Sequence, residues 1–211
     1  MAQAIGYDEM VAMLRGAVQR INDNHEILSK LDSFGGDGDH GTTMVRAMKG
    51  VEKSLEASEA SDLKTLLHDV GWGIMGVDGG ATGPLFGTLF MSMSEGVTGD
   101  GPLDAAALAA AFESGLAGVQ KQTKAQVGDK TLIDVLVPAV AKLREAADGG
   151  ADAGEALKQA AQVALAGAES TQKLQARFGR ARNLGEGSIG HQDPGATSMS
   201  LIFKAFAEAA A

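Results

Sequence analysis

The chain has 211 residues, with 18 Lys+Arg against 27 Asp+Glu, 29 Gly, one Trp, one Tyr and no Cys, for a formal net charge of −9. A 45% apolar and 21% charged composition suits one medium globular domain; it excludes a disordered chain and a sequence-independent grip on nucleic acid, which needs clustered Lys and Arg. Zero Cys excludes disulfides, Cys-ligated zinc and thiol catalysis, no stretch approaches the roughly 20 apolar residues that span a bilayer, and MAQAIGYDEMVAML lacks a signal-peptide layout.

Apolar residues recur at three- and four-residue steps, first as Met10, Val11, Leu14, Val18 and Ile21, then as Met44, Val45, Met48, Val51 and Leu55. That period predicts amphipathic helices. The same reading along the chain predicts eight, near 7–30, 41–57, 62–76, 82–95, 103–121, 130–147, 153–178 and 195–210. Period-two alternation is not sustained anywhere, so the class is all-α. No internal repeat or linker divides the chain, and 1–211 reads as a single domain.

Two junctions, Thr98–Pro102 and Asp148–Gly150, are ordinary turn chemistry. Four others are richer: 31–43, Gly79-Gly80-Ala81-Thr82-Gly83-Pro84, Gly128-Asp129-Lys130-Thr131, and 179–197. Each sets Gly beside hydroxyl or charged residues just before a helix start, where free N–H groups and the dipole favour an anion. Asp beside Gly also makes turns and caps, and Gly also packs helices tightly, so both readings stand at this point.

Gly36-Asp37-Gly38-Asp39-His40-Gly41 matches G-x-G-x-x-G literally. A helix rather than a strand precedes it, however, and two of its variable positions are Asp, which would repel a pyrophosphate. An EF-hand fails as well, because counting from Asp37 puts Gly41 at position 5 and Met48 at position 12, where Glu is needed. What survives is a trio of carboxylates, Asp32, Asp37 and Asp39. Hard oxygen donors without Cys suit Mg²⁺ shared with nucleotide phosphates. His40 could donate to a phosphate oxygen, though a lone His at a helix start is commonly structural. Arg177, Arg180 and Arg182 form the densest cationic stretch, able to pair with phosphate or simply to end a helix. His25, His68, Trp72 and the Met residues read as structural, and no Ser or Cys nucleophile motif is present.

The four loops, in this order and spacing, resemble the L subunit of dihydroxyacetone kinase. The resemblance runs from about residue 7 to the end of the chain and is carried by Leu31-Asp32, 36–41, 79–85, 128–131, Gly179-Arg180-Ala181 and 190–196. It implies a closed barrel of eight antiparallel amphipathic helices with a nucleotide at one end. Asp32, Asp37 and Asp39 would hold two Mg²⁺ ions. His40, Gly41, Thr42, Thr43, Ala81 and Thr82 would contact the phosphates of ADP or ATP. Thr123, Leu132, Arg180 and the Asp193-Pro194-Gly195 turn would line the adenosine side. No residue is assigned as catalytic, since in that family the ketose sits on a separate K subunit. The resemblance further implies a cytoplasmic protein, with ADP recharged in place by a phosphohistidine-carrying M subunit of the phosphotransferase system, or with ATP exchanging each turnover. A free-standing chain of this length favours separate subunits, and a homodimer is left open.

Three positions depart from the family pattern: Thr82 where Ser is usual, Leu132 where Met is common, and Gly187 where Arg is common. They leave a four-carbon ketose such as erythrulose open. A nucleotide-state sensor that binds a transcription regulator, and the nucleotide domain of a fatty-acid kinase, are the other readings.

Overall fold

Asp residues mark several of the helix starts. In the computed structural model, which describes residues 2–58 and 62–211, eight α-helices follow one another: α1 Tyr7–Asp32, α2 His40–Ala57, α3 Leu63–Met75, α4 Thr82–Gly96, α5 Ala105–Gln122, α6 Ile133–Asp148, α7 Ala153–Ser170 and α8 Pro194–Ala209. The side chains of Asp62, Asp104, Asp152 and Asp193 cap α3, α5, α7 and α8 by accepting an N–H three residues on. No side-chain cap closes α2, α4 or α6.

No strand occurs among the described residues; one bridge pairs Ile5 with Leu103. Each helix packs against the next, and α8 returns to pack against α1. Their apolar stripes meet in one core, which includes Met13, Ile21, Met44, Leu67, Phe86, Phe90, Leu136 and Phe203. Phe112 anchors its aromatic part, stacking on Phe203 and meeting Phe206 edge-on. Ala2 donates to Ala210 and Gly154 donates to Ala2, which ties the N-terminal segment to α7 and α8. No described helix is long and apolar enough to cross a membrane.

Most helix bounds follow the periodicity to within two or three residues, but the predicted 153–178 helix ends at Ser170. There the Thr171 hydroxyl turns back to the Ala168 carbonyl and the backbone enters a 3₁₀ turn at Thr171–Lys173. After an extended stretch, a second 3₁₀ segment runs over Arg180–Ser188, broken at Gly185. Ala176 is buried beyond the end of the helix, from backbone that belongs to no regular element. Likewise α6 begins at Ile133 rather than 130, because Asp134 holds residues 128–131 as a turn.

Met44, Met48 and Met93 are core residues, as their spacing predicts. Trp72 is 67% exposed and takes no part in the core. His25 and His68 are exposed as well, the first bonded to the Asn22 carbonyl and the second beside Asp69.

Helices α3 and α4 approach through glycine. A Cβ on Gly71 would lie 2.6 Å from the Met91 nitrogen and 2.8 Å from the Gly87 carbonyl. Gly71→Ala is therefore expected to destabilise the protein by about 1–3 kcal/mol through overpacking, read as a lower urea midpoint. A gain in stability, as Gly→Ala gives in an exposed helix, would contradict this contact.

Candidate functional site

The acidic loop begins where α1 ends. Asp32 is the last residue of α1, and its carbonyl accepts the amides of Gly35 and Gly36 at 3.1 and 2.6 Å, turning the chain sharply. A Cβ at 36 would lie 2.3 Å from Asp32 Oδ1, so any other residue there would push the Asp32 carboxylate out of its place. The loop then delivers Asp37 and Asp39 to the start of α2. One carboxylate oxygen from each of Asp32, Asp37 and Asp39 lies within 4.8 Å of the others.

Such crowding perturbs the carboxyls in opposite directions. Arg180, paired with Asp37, holds that carboxyl below the ordinary range. Burial, reinforced by the charges of Asp37 and Asp32, pushes Asp39 up. A cluster of hard oxygen donors whose mutual repulsion is only partly met by one Arg fits Mg²⁺ or a similar divalent cation.

His40 opens α2 and is largely enclosed; burial pushes its imidazole below the usual value, against the charge of Asp32. Its Nε2 lies 2.7 Å from the hydroxyl of buried Ser198 on α8. That hydroxyl donates its one proton to the Pro194 carbonyl at 2.9 Å, so it accepts from Nε2–H and Nδ1 carries the lone pair of the neutral ring. This tautomer is assigned from the hydrogen-bond network. A neutral His40 therefore donates into α8, and a donation to phosphate would require the protonated ring.

Behind His40, Gly41, Thr42 and Thr43 form the first turn of α2. Gly41 is pressed against α1, where a Cβ would lie 1.9 Å from the His25 carbonyl. Thr42 is exposed, while buried Thr43 faces Gly79 and accepts from Arg46. None of the three lines the cavity described next. Gly79 and Gly80 take positive φ and lead to Ala81 and Thr82 at the uncapped start of α4.

A cavity of about 350 Å³ joins these parts. Of the residues predicted from sequence, Asp32, Asp37, Asp39, His40, Ala81, Thr82, Thr123, Leu132, Arg180, Asp193, Pro194 and Gly195 all line it. Leu132 and the Asp193-Pro194-Gly195 turn pack side by side, a Cβ on Gly195 lying in ordinary contact at 3.8 Å from that of Leu132. Arg177 instead pairs with Asp129 at 3.6 Å, and Arg182 does not reach the cavity.

The lining also includes residues that sequence reasoning left unassigned. Phe34 and His191 stack with ring centroids 3.5 Å apart and planes 8° from parallel, joining the acidic loop to the C-terminal loop. Gly35 packs against Ala181, which brings the same two segments together. Lys130 is buried, and its Nζ donates to the carbonyls of Thr171 and His191. Each lies in or beside a quoted loop, but only the fold pairs partners so distant in the chain.

Residues 35–208 match the DAK2 domain family. The chain is 40% identical over 187 residues, 89% of its length and 88% of the relative's, to the ADP-binding subunit of PEP-dependent dihydroxyacetone kinase 1 from Listeria innocua. It is 41% identical over 185 residues, 88% of each chain, to the ADP-binding subunit of the PEP-dependent dihydroxyacetone kinase from Escherichia coli. It superposes on the crystal structure of the dihydroxyacetone kinase from C. freundii in complex with AMP-PNP and Mg²⁺ with a TM-score of 0.73 at 27% identity, covering 99% of this chain and 35% of that one. The chain thus spans about a third of that kinase's length.

Asp193 gives the site a pH dependence. Burial pushes its carboxyl up to about 7, against the Ala196 N–H and Lys130 that favour the charged form. Its contribution to stability is therefore complete below the ordinary carboxylate range and is lost as pH rises through about 7. Asp193→Asn, which keeps an acceptor for Ala196, is expected to flatten the fall in unfolding free energy between about pH 4 and 7. An unchanged slope would contradict the enclosure of this carboxyl.

Proposed function

The chain belongs to the DAK2-domain family of dihydroxyacetone kinase ADP-binding subunits, and from that premise we propose that it binds ADP or ATP with two Mg²⁺ ions in this cavity. It thereby serves as the nucleotide-binding subunit of a kinase that phosphorylates dihydroxyacetone held on a separate K subunit. The observation that carries this reading is the convergence of three carboxylates beside the uncapped starts of α2 and α4. Carboxylates alone would repel a polyphosphate, and helix N-termini alone would not need them. Together they suit an anion that arrives with its cations.

Asp32, Asp37 and Asp39 would hold the metal. His40, Ala81 and Thr82, which line the cavity, would meet the phosphates, and Gly41, Thr42 and Thr43 would support them from the first turn of α2 rather than from the cavity wall. Thr123, Leu132, Arg180 and Asp193-Pro194-Gly195 would enclose the adenosine. When bound, the nucleotide supplies a transferable phosphoryl group and Mg²⁺ offsets its charge. The chain's own part is to position and to exclude water, which is most of what phosphoryl transfer asks of a protein, so no residue here is assigned as general base.

The succession of helix contacts, closed by α8 on α1, supports a closed barrel of eight antiparallel helices. The cavity lies where α1 and α5 end and α2, α4, α6 and α8 begin. The barrel would make 1–211 one domain, although Met1 and residues 59–61 lie outside the described residues. The relatives' dependence on PEP or the phosphotransferase system supports ADP as a bound cofactor, recharged in place by a phosphohistidine-carrying M subunit in the cytoplasm.

Isothermal titration with Mg-ADP tests the reading. Replacing both Asp37 and Asp39 by Ala is expected to lower affinity by at least about a hundredfold, equivalent to about 2.8 kcal/mol, with the far-UV circular dichroism unchanged. Retained affinity in that variant would remove the metal assignment.

A further inference from the structure

Lys130 is a buried cation for which the nucleotide reading has no role. It is 5% exposed and sits at φ 62, the one non-glycine with positive φ among the described residues. An L side chain rarely holds that conformation unless its surroundings fix it. Here its Nζ donates to the Thr171 carbonyl at 2.7 Å and the His191 carbonyl at 2.5 Å.

The backbone on either side of the lysine is pinned as well. Asp134 accepts the Gly128 and Thr131 amides at 2.6 and 2.7 Å, so the turn cannot slide along α6. The Asp193 amide donates to Thr171 Oγ1 at 2.9 Å, so the two carbonyls held by Lys130 belong to segments already joined. Two residues beyond Lys130 stands Leu132; two to four beyond His191 stand Asp193, Pro194 and Gly195. One ammonium thus ties together the bases of two segments that touch each other and line the cavity side by side.

We propose that Lys130 is a positioning residue for the nucleoside end of the ligand, fixing Leu132 and the Asp193-Pro194-Gly195 turn together as one wall of the cavity through the Thr171 and His191 carbonyls. This rests on the nucleotide reading and adds a residue to it. The carboxylates of Asp193 and Asp134 lie near enough to favour the ammonium form against its burial. A side chain without a donor at 130 would take that hydrogen bond from the His191 carbonyl in an enclosed space, while the Thr171 carbonyl would keep the Leu174 amide.

A staple that only supports the fold would affect every ligand alike, whereas a positioning residue of the nucleoside wall distinguishes ligands by whether they carry a nucleoside. Titration of the full chain with Mg-ADP and with Mg-pyrophosphate separates the two. Lys130→Met is expected to weaken Mg-ADP by about tenfold while Mg-pyrophosphate affinity stays within about twofold. Equal loss for both probes, or no loss for Mg-ADP, overturns the proposal. Lys130→Arg keeps a donating cation and is expected to lose less Mg-ADP affinity than Lys130→Met. Should the Met variant not fold, the ratio of the two affinities in the Arg variant decides by the same criterion. A wild-type chain that binds neither probe refutes the nucleotide reading itself, and the role of Lys130 with it.

Discussion

Three carboxylates whose oxygens lie within 4.8 Å of one another repel at a range shorter than the roughly 8 Å over which physiological salt screens charge. Gathering them opposes folding of this end of the molecule unless positive charge is supplied nearby. The chain offers two sources, the start of α2 and the Arg180 guanidinium. Neither removes the conflict, as the opposed shifts of Asp37 and Asp39 record. The remainder of the repulsion is what a divalent cation would relieve. The acidic loop, its glycine turn and the C-terminal segment that carries Arg180 are therefore parts of a single electrostatic arrangement.

The rest of the fold brings that arrangement together. Loops separated by most of the chain's length meet because helices that begin and end at the cavity alternate along the sequence. The capping pattern follows the same division. Helices α3, α5 and α7, whose starts lie away from the cavity, are closed by Asp side chains, while α2, α4 and α6 begin at the cavity without one. Helices α1 and α8 are the exceptions: α1 starts away from the cavity at Gly6 without an Asp cap, and α8 is capped by an Asp that itself lines the cavity. A start without an Asp cap leaves donors that a ligand could meet, although the His40 amide points to Asp32 and the Ile133 amide to the Thr131 hydroxyl.

Much of this was legible in the sequence, because helical periodicity and Asp-Gly loops are local signals. The all-α class, the helix order and the carboxylate trio all follow from residues close together in the chain. The end of α7 was not legible, since it is set by the Thr171 hydroxyl turning back to Ala168 rather than by apolar spacing. Nor was the tautomer of His40, which depends on Ser198, 158 residues away. Lys130 shows the same limit. Its place in Gly128-Asp129-Lys130-Thr131 is visible, but both partners of its ammonium lie more than forty positions on. Trp72 shows the converse: a large apolar residue in a helical pattern suggests a core position, yet its face of α3 is turned outward.

The central claim is that this cavity holds an adenine nucleotide together with divalent metal. It is tested most directly by denaturing protein purified without added nucleotide and quantifying the ADP, ATP and Mg²⁺ released per chain. The account predicts close to one ADP per chain, with Mg²⁺ in at least equal amount. A protein that releases no nucleotide, and then fails to take up Mg-ADP or Mg-ATP when these are supplied, would contradict it and return the acidic loop to a purely structural part in the fold.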